Sequence, residues 1–176
     1  MLTSCKAKLG IVVILALVGF LPISAETLSC DAVHCRLTTP DGWRTGTPSR
    51  IPGDPIFFSA LGWNKAKDEK FFLYVKHTDS SDAVSADCAC VKDAVGSCLK
   101  NHAEILDRYT QTVNGIDYYV LLYRQGMGGS AYLSGECWLT VKYGCEYELW
   151  MNRKNGEAAD DNGLTSIVQS LSFAAK

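Results

Sequence analysis

Beyond its first two dozen residues, this chain of 176 has no apolar run long enough to cross a bilayer as a helix, a span that takes roughly 20 residues. It has no cluster of Lys and Arg, no Asn-x-Ser/Thr sequon, no internal repeat and no low-complexity stretch. Histidine is scarce, and none of His34, His77 and His102 stands at a catalytic spacing from a Cys, a Ser or a carboxylate. There is no Gly-x-Ser-x-Gly elbow, no phosphate-cradling glycine loop and no Cys-x-x-Cys pair. These absences speak against α/β-hydrolase, nucleotide-binding and thioredoxin-type chemistry. Without a basic stripe, nucleic acid and anionic membrane are poor partners.

What is present begins with MLTSCKAKLGIVVILALVGFLPISA. Lys6 and Lys8 give a positive start, residues 9–21 are almost wholly apolar, Pro22 breaks the run, and Ile23-Ser24-Ala25 ends on small residues. That is the layout of a secretory signal peptide, cleaved after Ala25. Thr27-Leu28-Ser29-Cys30 lies too far beyond the apolar run, and lacks the small pair, for a lipidation site. The expected mature protein is residues 26–176, one soluble domain, periplasmic or secreted. Cleavage removes two of 17 basic residues and none of 19 acidic ones, so the mature charge is 15 − 19 = −4.

Seven cysteines remain: Cys30, Cys35, Cys88, Cys90, Cys98, Cys137 and Cys145. In an oxidising compartment they read as disulfide partners, and three bridges would leave one thiol unpaired. ADCACVKDAVGSC (86–98) holds three of them. A structural zinc site prefers pairs spaced Cys-x2-Cys, and a redox pair wants Cys-x-x-Cys, so a staple is the reading for this stretch. If Cys90 and Cys98 share one helix, they stand about 12 Å apart at ~1.5 Å per residue, beyond the ~7 Å a disulfide allows. Either the helix starts after Cys90, or these sulfurs reach other elements. Cys30 and Cys35 close a six-residue ring. Cys137 and Cys145 flank a hairpin, but Tyr143-Gly144 centres its turn too late for them to face each other directly.

Residues 32–38 alternate, with Val33, Cys35 and Leu37 on one face of a short strand. TPDGW ends it, and a polar, proline-rich loop follows. Residues 56–63 and 71–77 read as strands joined by NKAKDEK. Helical spacing runs from Cys90 to Leu106, placing His102 on the apolar stripe. Asn114-Gly115 between two strand-like runs predicts a type I′ hairpin. Residues 131–142 and 145–152 form a further pair. Residues 157–173 read as a helix with Leu164, Ile167, Val168 and Leu171 on one stripe. Its acids, 157–161, suit a helix N-terminus, with calcium binding the alternative. The order β-β-β-α-β-β-β-β-α predicts an α+β fold, an antiparallel sheet flanked by two helices.

TPDGW, VNGIDYYVLLY and LTSIVQSLSF resemble the opening Pro-x-Gly-Trp stretch, the central hairpin and the closing helix of the Mog1/PsbP family, over about residues 33–173. The resemblance implies an α/β/α sandwich and a non-catalytic binding or assembly role. The cysteines depart from that family's pattern. Separately, CDAVHC with His34 resembles the inhibitory loop of periplasmic lysozyme inhibitors of the Ivy type; a tethered N-terminus is the plainer reading.

The sequence therefore points to an exported, disulfide-stabilised protein-binding module with no catalytic residues, cofactor or metal. One version is an inhibitor or immunity protein against a toxin or cell-wall hydrolase. His34, Trp43 and Trp63 are the candidate partner surface, because aromatic residues enrich interface cores. Competing readings are a thiol or metal enzyme using Cys88, Cys90 and Cys98, and a structural accessory of an envelope complex.

Overall fold

A computed structural model describes residues 24–30, 35–49, 56–79, 83–155 and 162–173. Most of the leader, His34 and the acidic stretch 157–161 lie outside the described residues. The strands are β1 (Thr27–Cys30), β2 (Cys35–Thr38), β3 (Arg44–Thr45), β4 (Ile56–Asn64), β5 (Glu69–His77), β6 (Ala103–Val113), β7 (Ile116–Gly128), β8 (Ala131–Lys142), β9 (Cys145–Lys154) and β10 (Ser172–Phe173). The helices are α1 (Ala89–Lys100) and α2 (Asn162–Ser170).

Seven strands form one antiparallel sheet in the order β3-β4-β5-β9-β8-β7-β6. The short strands β1, β2 and β10 pair separately. The long hairpins are set by their turns. Asn114 and Gly115 have φ of 52° and 74°, and Tyr143 and Gly144 have 52° and 70°. Those positive angles match the twist that a two-residue connection needs.

Period-two alternation divides the side chains of the large sheet between two cores. Phe71, Leu73 and Val75 of β5, with Tyr147, Leu149 and Met151 of β9, face the small sheet and α2. There the stripe Leu164, Ile167, Val168 and Leu171 is buried as expected. Tyr119 and Leu121 of β7, with Cys137, Leu139 and Val141 of β8, face α1. The protein is thus an α+β sandwich, with a helix on each side of a central sheet.

The sequence reading lacks the short strands β1 and β3, and three further boundaries shift. α1 ends at Lys100, not Leu106: the amides of Asn101 and His102 bond back to Ser97 and Leu99 carbonyls, and His102 turns the chain at φ 56°. His102 is consequently exposed rather than a core residue. Residues 103–107 join β6, where a bulge between Ile105 and Asp107 absorbs one residue. Finally, Ser172 and Phe173 pair with β2 instead of extending α2.

Candidate binding face

α1 packs over β6, β7 and β8. The α1-side residues of β4, β5 and β9 lie beside it, and they are half-open to solvent: Trp63, Phe72, Tyr74 and Trp150 are partly exposed, and Leu61 is 37% exposed. Register places them in rows. Leu61, Phe72 and Trp150 are successive cross-strand partners, and so are Arg44, Trp63, Lys70 and Asn152.

Between this strip and the flank of α1 runs a trough of about 570 Å³, within the ~300–1,000 Å³ common for ligand sites. Phe72 and Tyr74 lie nearly parallel, their planes 8° apart and centroids 6.4 Å apart. Tyr123 meets Trp150 edge-on at 5.5 Å. The Tyr123 hydroxyl also donates to Asn152 Oδ1 by passing over Gly135. A Cβ at Gly135 would stand 2.5 Å from the Met151 carbonyl and 2.7 Å from that hydroxyl, so the floor requires glycine here.

The trough's other end holds Lys76, Glu146 and Glu148. Lys76 contacts Glu148 directly and Glu146 at 3.5 Å. Burial raises the Glu146 carboxyl to about 7, assisted by the hydrogen bond its protonated form donates to Glu148 and opposed by Lys76. For Lys76, burial works against its charge, and the contacts with Glu148 outweigh it, so its pKa is raised. The Trp150 indole donates to Glu148 at 3.1 Å. Every strong polar group at this end is thus engaged within the protein.

Beneath α1 lie the sulfurs. Cys90 and Cys98 both belong to α1 and both face the sheet, where Cys137 of β8 shares their core. Cys90 and Cys98 stand eight residues apart along α1 and are not partners of each other. Cys88, Cys90, Cys98 and Cys137 carry thiols in this structure. Burial pushes the Cys90 thiol up to about 12, with Glu146 adding to it, and raises Cys98 and Cys137 as well. Nucleophilic and ligating cysteines need the opposite, a lowered pKa and access. Among the described residues, no three His, Cys, Asp or Glu side chains group to hold a metal ion.

The remaining sequence candidates separate. Trp43 is corrected: it is 1% exposed and packs on Phe71 at 5.7 Å, so it is core and not partner surface. Trp63 does lie on the open face. Cys30 and Cys35 are cross-strand partners. Cys137 pairs with Trp150 while Cys145 pairs with Lys142, and the two cysteines point into opposite cores, which excludes a bridge between them. Cys145 instead meets His77, 4.0 Å between Sγ and Nδ1, a pairing hidden by 68 residues of separation. The residues that sequence reasoning missed are Phe72, Tyr74 and Trp150. They alternate with core residues and look like ordinary strand aromatics; only the width of α1 leaves them uncovered.

No known family model and no curated protein matches the chain. Solved structures do. The solution structure of cyanobacterial PsbP (CyanoP) from Synechocystis aligns with TM-score 0.58 at 16% identity, over 98% of this chain and 99% of that one. A crystal structure from Bacteroides thetaiotaomicron aligns with TM-score 0.55 at 13% identity, over 87% of this chain but half of that one. The chain has a PsbP-like α+β fold.

Proposed function

We propose that this protein is a non-catalytic, extracytoplasmic binding module that docks a protein partner on the open half of its α1-side sheet face. One observation carries the reading: a rigid seven-stranded sheet leaves aromatic side chains in a concave, half-open strip beside a helix. Rigid aromatic side chains in a partly desolvated depression are what interface anchors look like. The PsbP-like fold is consistent with an accessory role. The leader sequence supports export, and the sharpest version of the reading is an inhibitor or immunity protein that blocks a toxin or cell-wall hydrolase.

The thiol-enzyme alternative is disfavoured by its own residues. Cys90 and Cys98 are buried under α1 with raised pKa values, and a thiol held neutral is a poor nucleophile. The test is co-purification of the exported protein with its partner, comparing wild type with the double variant F72A/W150A. A partner bound by the wild type and lost from the folded variant supports the reading. A partner retained equally by both places the interface elsewhere.

A further inference from the structure

The geometry points to an acidic segment of the partner, with an apolar residue between its carboxylates, as the occupant of the corner around Trp63. This rests on the binding-module reading and specifies the chemistry of its partner.

The corner lies where β3, β4 and β5 end. Arg44, Trp63 and Lys70 are successive cross-strand partners, so one ring stands between two cations on the α1-side face. Lys65 and Lys67 follow in the β4–β5 turn, and Arg44, Trp63, Lys65 and Lys67 line a second depression of about 540 Å³. Arg44, Lys65, Lys67 and Lys70 are all exposed. Among the described residues, Arg44, Lys65 and Lys70 make no ion pair. The acids at this corner are Asp41, Asp68 and Glu26, whose carboxylate accepts from the Thr45 amide at 3.1 Å and from the Thr45 hydroxyl; Glu69 is buried on the opposite face against Arg153.

Charge makes the corner unlike the rest of the molecule. Four cations against three acids give it +1. The mature chain carries −4 overall, so the remainder carries −5. A corner of this sign selects acidic segments, while the net negative charge of two whole copies opposes self-association at long range. Arg44 and Lys70 also stand beside apolar surface. The next row along the face is Leu61, Phe72 and Trp150, with no charge in it.

Spacing fits an extended segment. Strands lie about 4.8 Å apart, so Arg44 and Lys70 are about 10 Å apart across β4. An extended polyproline-II segment advances about 3.1 Å per residue with three residues per turn, so acids three residues apart lie on one side of it, roughly 9–10 Å apart. The intervening side chains then lie over Trp63 and towards Leu61 and Phe72. Arg44 gives the pair directionality, because a guanidinium can take a carboxylate with two parallel hydrogen bonds and stack on an indole.

The test uses the mature full chain and three probes. The first is a capped synthetic peptide containing Asp-Leu-Phe-Asp. The second replaces both Asp with Asn. The third is a phosphatidylglycerol vesicle. Binding is read by tryptophan fluorescence and by amide shift changes. The acidic peptide is expected to bind at least tenfold more tightly than the Asn peptide, to weaken steeply with salt, and to shift residues of β3, β4 and β5. Arg44→Glu with Lys70→Glu should cost at least tenfold at unchanged melting temperature. Arg108→Glu, on the far edge strand, should cost nothing. Equal binding of the two peptides, binding of neither at millimolar concentration, or no effect of the double charge reversal overturns the proposal. Vesicle binding through the same residues overturns it in favour of a membrane surface. If these peptides fail while F72A/W150A still loses the natural partner, the acidic-segment inference falls and the binding-module reading stands.

Discussion

Glu146 should make this protein less stable as the medium is taken from mildly acidic to mildly alkaline, and Glu146→Gln should remove the effect. Glu146 and Glu148 stand two residues apart on one face of β9, with Lys76 as their shared cation. Burial and the neighbouring acid raise the Glu146 carboxyl from 4.5 to about 7. Below about 4.5, folded and unfolded chains both hold this proton. Between about 4.5 and 7 only the folded chain holds it, so stability falls as pH rises through that window, and above 7 the loss is complete. At about 1.4 kcal/mol per pH unit of displacement, the full effect would be about 3 kcal/mol. Water at the open side of Lys76 screens the pair, which reduces the expected loss to ~1–2 kcal/mol between pH 5 and pH 8. The glutamine keeps a hydrogen-bonding group of the same shape and cannot ionise. Urea unfolding at pH 5, 6, 7 and 8 is the assay. The variant's midpoint should match wild type near pH 5 and exceed it at pH 8. Parallel pH profiles for the two proteins would refute the reasoning, because the titrating group would then be another one.

Three further outcomes follow from the packing. Gly135→Ala should destabilise by about 2–3 kcal/mol, because its Cβ meets the Met151 carbonyl, which is backbone and cannot rotate away; thermal unfolding measures it, and a neutral result would mean the β8–β9 register is softer than described. Trp43→Ala should cost ~3–5 kcal/mol, whereas Trp63→Ala should cost under ~1.5 kcal/mol on stability and act on binding; equal losses in denaturant unfolding would contradict their different burial. Non-reducing peptide mapping of exported protein should never link Cys137 to Cys145, which lie in opposite cores, and should be able to link Cys30 to Cys35, whose Cα atoms face each other across β1 and β2; a Cys137–Cys145 peptide would refute the sheet register.

Much of the architecture was legible because it is local. Asn114-Gly115 and Tyr143-Gly144 carry their turns in two residues each, and the α2 stripe carries its buried face in a 3.6-residue period. The end of α1 was not legible. His102 and Ile105 continue the helical spacing of Val91, Val95 and Cys98, and no Gly or Pro stops it before Leu106. What stops it is the pairing of residues 103–113 with β7, a tertiary demand that overrides the local pattern. The edge bulge at Leu106 then lets Ile105 and Asp107 keep their partners. The role of the two loop tryptophans was equally hidden. Trp43 and Trp63 both border turns, and only the ladder shows one beneath the chain against Phe71 and the other between Arg44 and Lys70.

The binding face itself is a consequence of a mismatch between layers. The sheet has seven strands, and α1 is one helix of 12 residues. A helix with its side chains is about 10–12 Å across, while neighbouring strands repeat every ~4.8 Å, so one helix covers two to three strands. On the opposite face, α2 is joined by the small sheet of β1, β2 and β10, and together they bury Phe58, Phe71, Leu73 and Met151. The α1 side has no second layer among the described residues. A sheet with no function on that side would carry polar residues at the uncovered positions. Here Leu61, Trp63, Phe72, Tyr74 and Trp150 are interleaved with Lys70, Lys76, Glu148 and Asn152, so the face keeps apolar surface in water beside charged groups. The same α1 that leaves the strip open buries Cys90 and Cys137 beneath it and brings only Cys98, 3% exposed, to the trough's wall, so what this face offers in area is rings and cations.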